Sequence, residues 1–156
     1  MTNSAEKILY RKAALIFEEL GFLMPRPEGG LNRNGSTSAV VSFKGPFSGY
    51  LLVSLSTDIL SQLSSNMLGD AKTSNEVMQH DSLKEITNVI CGNALPAIYG
   101  FEPIFHLNAP AIYDGSSPVN AGTEYTPAAQ VRLSFDTGHA EISLFVERGA
   151  PKASPH

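Results

Sequence analysis

With 156 residues, 42% of them hydrophobic and 17% charged, the chain has the length and composition of one globular domain that buries a sizeable core without disulfides or metal. A net charge of −4, with 11 scattered Lys and Arg, excludes a nucleic-acid surface, which needs clustered cations against phosphate. No apolar run is long enough to cross a bilayer, the first residues lack a signal-peptide layout, and the single cysteine, Cys91, cannot close an internal disulfide, so the expectation is a cytoplasmic protein with no membrane partner.

Ser4 reads as the N-cap of a helix whose apolar residues Ile8, Leu9, Leu15, Ile16 and Leu20 recur mostly at helical spacing, and Gly21 as its stop. Residues 22–37, with Pro25, Pro27, Gly29, Gly30 and Gly35, read as loop or irregular extended chain. A short strand over 39–43 turns through 44–48 into a second over 50–55, giving a hairpin. A helix over 56–68 then ends at Gly69, and 70–74 form a polar connection. The next helix starts between Asn75 and His80 and ends near Tyr99 and Gly100, with Pro96 able to kink or break it earlier.

Strands follow at 101–107 and 111–113, then a turn-rich loop over 114–126. The last hairpin, 129–135 with 140–146, runs through Asp136, Thr137, Gly138 and His139. It places Val131, Leu133, Phe135 and Ile142, Leu144, Val146 on its inner faces. Strands and helices mix without a βαβ rhythm, so the expected class is α+β, helices packed on a mostly antiparallel sheet. Residues 1–148 form a single domain in this reading, and 149–156 a flexible tail.

Residues 81–93 carry the most information. At helical spacing Asp81, Glu85, Asn88 and Gly92 share one face, while Leu83, Ile86, Ile90 and Ala94 share another that can be buried. A glycine inside a helix costs about 1 kcal/mol relative to alanine, so Gly92 suggests that something approaches the backbone closely. The helix over 56–68 also has a polar stripe, Asp58, Gln62 and Asn66, but no Glu-x-x-Asn.

This segment resembles the signature helix of the CheC/CheX/FliY family, chemotaxis phosphatases that dephosphorylate the phosphoaspartate of a response regulator. The family pattern is Asp or Ser, three residues, Glu, two residues, Asn, then about twenty-two residues and Pro. Asp81, Glu85 and Asn88 fit it, and the run Glu85-Ile-Thr-Asn88-Val-Ile-Cys-Gly92-Asn93-Ala94 is most similar to the CheX branch. The departure is Pro110, which arrives one residue early, with Ala111 at the expected position. Upstream, Gly45-Pro-Phe-Ser-Gly49-Tyr50 and the strand and helix after it resemble the family's hairpin and second helix.

The resemblance implies a CheX-like fold and a phosphorylated CheY-type response regulator as partner. Asn88 would hold the attacking water and Glu85 would pair with the receiver's lysine. Asp81 would contact the partner's rim or serve the helix start, and Gly92 and Asn93 would let partner loops come close. It also implies a homodimer joined at a sheet edge. Mg²⁺ is expected on the phosphorylated partner, and no cofactor is expected on the chain itself. The alternative is a receiver-binding adaptor or flagellar-switch-like module without catalysis.

The remaining residues have plainer readings. His80, His106, His139 and His156 lack metal-ligand spacing, so no metal site is expected. Cys91 reads as a buried small residue, Asn93 as a local hydrogen-bonder before a substrate contact, and Gly45 to Gly49 as a hairpin turn rather than a phosphate loop. The aromatic residues are scattered and offer no platform for stacking bases.

Overall fold

Residues 3–26, 35–68, 75–115 and 122–152 are described by the computed structural model, in which three helices lie on one face of a six-stranded antiparallel sheet. The elements in chain order are α1 (Ser4–Gly21), β1 (Ser36–Lys44), β2 (Gly49–Ser56), α2 (Thr57–Leu68), α3 (Glu76–Tyr99), β3 (His106–Leu107), β4 (Ala111–Ile112), β5 (Tyr125–Ser134) and β6 (His139–Glu147). The sheet order is β3-β1-β2-β6-β5, with β4 also paired to β1. This is the expected α+β architecture. The expected connection at 70–74, and residues 27–34 and 116–121 of the loops expected at 22–37 and 114–126, fall outside the described residues.

Period-two alternation sends Ala39, Val41 and Phe43 of β1, Leu51, Val53 and Leu55 of β2, and Ile142 and Leu144 of β6 into one core beneath the helices. The first hairpin pairs Phe43 with Gly49 and Ser36 with Ser56, so its strands are longer than the apolar residues alone suggested. Four aromatic rings at the turn end of this hairpin pack edge to face. Phe47 lies 4.9 Å from Tyr99 and 5.1 Å from Phe105, and Phe43 lies 5.4 Å from Phe105. The cluster fastens the C-terminal end of α3 to the sheet, a use for the aromatics that their scatter in sequence hides.

Several boundaries differ from expectation for identifiable reasons. Asn3, not Ser4, caps α1: its side chain accepts the Glu6 N–H at 2.7 Å while Glu6 reaches back to the Asn3 N–H, a capping box. Gly21 does not stop that helix. The chain stays helical through it, and Phe22 takes the left-handed cap at φ 52°. Gly21 is instead where α2 crosses closely, since a Cβ there would meet a Leu63 methyl at 2.6 Å. On α1, Ala5, Ala13 and Phe17 join Leu9 and Ile16 in the core, while Leu15 and Leu20 face out.

The strand expected over 101–107 shrinks to His106–Leu107, because Pro103 interrupts the run and Phe101 is 89% exposed. The other short strand ends at Ile112. β5 begins four residues earlier than expected and passes through Pro127 with a register shift before Ala129, which is tolerable because β5 is an edge strand. After β6, Ala150 packs against the core and its N–H donates to the Glu147 carbonyl at 3.0 Å, so the chain is held to that point.

Candidate functional site

α3 is a 24-residue helix that runs through Pro96 without ending there. Asn75 caps it, accepting the Met78 N–H at 2.9 Å, and Gly100, at φ 88°, lies just past its end. Asp81 therefore sits well inside the helix, and the helix-start role considered for it belongs to Asn75. One side of α3 is buried through Leu83, Ile86, Ile90, Ala94 and Ile98, as the spacing predicts. Ser82 and Thr87 are buried too, and Thr87 satisfies its hydroxyl by donating to the Leu83 carbonyl at 2.7 Å.

The opposite side carries the expected stripe: Asp81, Glu85, Asn88 and Gly92 are all exposed, in line along the helix. Val77, one turn before Asp81, extends it with an apolar side chain that is 69% exposed. Asp81 is engaged, with Lys84 Nζ 3.4 Å from its carboxylate. Glu85 and Asn88 differ. Among the described residues neither side chain has a hydrogen-bond or ion-pair partner. Glu85 has no cation at the three- or four-residue spacings where a helix would supply one, since those positions hold Asp81, Ser82, Asn88 and Val89.

Gly92 has no internal packing justification. A Cβ there would find only a Leu107 methyl at 4.0 Å, an ordinary van der Waals distance, among the described residues. Asn93 is exposed but turned away from the stripe, and its side-chain N–H donates to the Val89 carbonyl at 2.7 Å, a local bond within the helix. Pro110 is half-buried and immediately precedes β4.

Cys91 faces the core, and burial pushes its thiol up to about 12, so it stays protonated at neutral pH and is no nucleophile. No three His, Cys, Asp or Glu gather at metal-binding distance among the described residues. No helix among them is long and apolar enough to cross a membrane. The stripe is thus a carboxylate and a carboxamide one turn apart, both free, with a backbone open to close approach beyond them.

The family model described as chemotaxis phosphatase CheX matches residues 37–134, from the first hairpin through β5 and including all of α3. The chain belongs to the CheX family. No curated protein matches it. Solved structures extend the likeness over the whole fold. The chemotaxis protein CheX from Desulfovibrio desulfuricans is 18% identical with a TM-score of 0.72, covering 93% of this chain and 100% of that one.

The CheX–CheY–BeF3–Mg complex from Borrelia burgdorferi is also 18% identical, at a TM-score of 0.67 over 90% of this chain and 96% of that one. A CheC-like superfamily protein from Shewanella sp. PV-4 is 18% identical, at 0.67 over 94% and 99%. At these identities the likeness is one of fold, and its coverage of 90–94% of this chain reaches beyond residues 37–134. Lys84, the ion-pair partner of Asp81, is a neighbour of the stripe that sequence reasoning passed over. Its place one turn before Asn88 was the available signal.

Proposed function

We propose that this CheX-family protein hydrolyses the phosphoaspartate of a CheY-type response regulator, inserting the exposed face of α3 into the receiver's active-site mouth. The observation that carries this reading is the free Glu85 and Asn88 pair on a buried, capped helix, backed by a glycine that the chain's own packing does not require. Phosphoryl transfer needs little covalent chemistry from the protein and much positioning. Asn88 accepts a hydrogen bond from a water through Oδ1 and holds it in line with the phosphorus. That water attacks, the bond from phosphorus to the aspartyl oxygen breaks, and inorganic phosphate leaves a regenerated carboxylate.

Glu85 fixes the register of Asn88 by a charge-assisted contact with the receiver's lysine. The lysine pairing occupies the carboxylate, so Glu85 orients the complex in preference to acting as general base. Asp81, Gly92 and Asn93 border the contact. Mg²⁺ stays with the partner, as the composition of the Borrelia burgdorferi complex suggests. A homodimer joined at a sheet edge and a cytoplasmic setting belong to the same reading, supported by the family resemblance.

The decisive experiment follows the decay of phosphorylated response regulators from the same cell at matched Mg²⁺, alone, with this protein, and with Asn88→Ala. Acceleration by the wild type, lost by roughly 100-fold or more in Asn88→Ala, is the expected result. The variant should keep its stability within about 0.5 kcal/mol, because Asn88 is exposed and its side chain bonds to none of the described residues. Binding to a receiver with no change in phosphoaspartate lifetime would make the protein a docking module instead.

A further inference from the structure

Lys84 is the only Lys or Arg in α3. At about 100° per residue it lies some 40° round the helix from Asn88 and a full 100° from Glu85, so it flanks the carboxamide and not the carboxylate. Its side chain is 34% exposed, laid along the helix surface, and its ammonium is drawn to Asp81 at 3.4 Å, whose own side chain is 67% exposed. The rest of the stripe is anionic, Asp81 and Glu85, whereas the group it is proposed to meet, a phosphoryl, is itself an anion. Two carboxylates alone would repel it.

An exposed ion pair such as Asp81 with Lys84 contributes little and exchanges partners readily. An ammonium beside a phosphoryl oxygen in a site closed to water gains more, because its charge is no longer screened.

Resting on the phosphatase reading, we propose that Lys84 is a further catalytic residue: on docking, its ammonium leaves Asp81 and donates to a phosphoryl oxygen of the receiver. Asp81 is then also a positioning residue that parks Lys84 beside Asn88. Lys84 neutralises charge that grows on the equatorial oxygens as water attacks, on the side where Asn88 holds that water.

The test uses the full chain and a purified CheY-type receiver, unactivated or activated with beryllofluoride and Mg²⁺ for binding and phosphorylated for the rate, and compares Lys84→Met, Lys84→Arg and Asp81→Asn. Lys84→Met keeps the aliphatic stem against the helix, so the fold survives. Its preference for the activated over the unactivated receiver should fall by roughly tenfold, with a parallel loss in dephosphorylation rate that Lys84→Arg largely restores. Asp81→Asn should have a smaller effect that disappears in the Lys84→Met background.

Equal weakening of both receiver forms would make Lys84 a rim contact and overturn the proposal, as would an unchanged preference in Lys84→Met. If the wild type neither binds nor dephosphorylates any receiver, the phosphatase reading fails first, and that outcome is distinct from either of these.

Discussion

Two helices of this protein present polar stripes at nearly the same spacing, and only one of them is free. On α2, Asn66 donates to the Gly21 carbonyl at 2.7 Å, Gln62 accepts the Thr137 hydroxyl at 3.4 Å, and Asp58 has an interaction of its own. On α3, Glu85 and Asn88 have none among the described residues. The α2 stripe points to α1 and the β5–β6 turn and ties them together, whereas the α3 stripe points outward. Spacing makes a stripe, and what the fold leaves opposite it decides whether the stripe is structural or available to a partner.

The contrast is broken most forcefully at Glu85. Reversing its charge in Glu85→Lys sets two cations against each other where the reading needs a pair, a cost of about 3 kcal/mol and hence roughly 100-fold in affinity for the activated receiver. Thermal unfolding should scarcely move, because no described residue leans on this carboxylate. Isothermal titration alongside a melting curve separates the two effects, and normal affinity would remove Glu85 from the interface. Asn66→Ala is the mirror image. Losing its bond to the Gly21 carbonyl should destabilise the fold by about 1–2 kcal/mol and leave dephosphorylation by the folded protein unchanged. A denaturant midpoint and a rate measurement below it check both halves.

This contrast also marks how far the sequence could be read. The buried face of α3, both hairpins and the exposed stripe follow from periodicity, because burial on one side of a helix or strand is a strong and repeated constraint. The close crossing at Gly21, the cluster of Phe43, Phe47, Tyr99 and Phe105, and the pairing of Asp81 with Lys84 do not. The first two depend on chain segments far apart in sequence meeting in space, so local propensity carries no trace of them. The third is local, but an i,i+3 ion pair is one of many that a helix could form, and only its setting beside Asn88 gives it meaning. At Ser4 the error was one of competition. Asn3 and Ser4 are both good caps, and Glu6 lies three residues from Asn3, which completes the reciprocal pair.

Gly92→Ala gives the smallest effect and the sharpest distinction. If the glycine exists for a partner, alanine should stabilise the isolated protein by about 0.5–1 kcal/mol, since its methyl finds open space beyond Leu107 and the helix loses a flexible residue. The same methyl would stand where the receiver backbone must approach, so affinity for the activated receiver should drop while stability rises. A second source of glycine preference lies in the helix itself, because Pro96 has no N–H for the Gly92 carbonyl and its ring crowds that carbonyl. In that case alanine would stiffen a strained turn, stability would fall, and binding would fall only in proportion to the unfolded fraction. Opposite signs of the change in melting temperature therefore separate a glycine kept for a partner from one kept for a proline, and only the first belongs to the proposed contact face of α3.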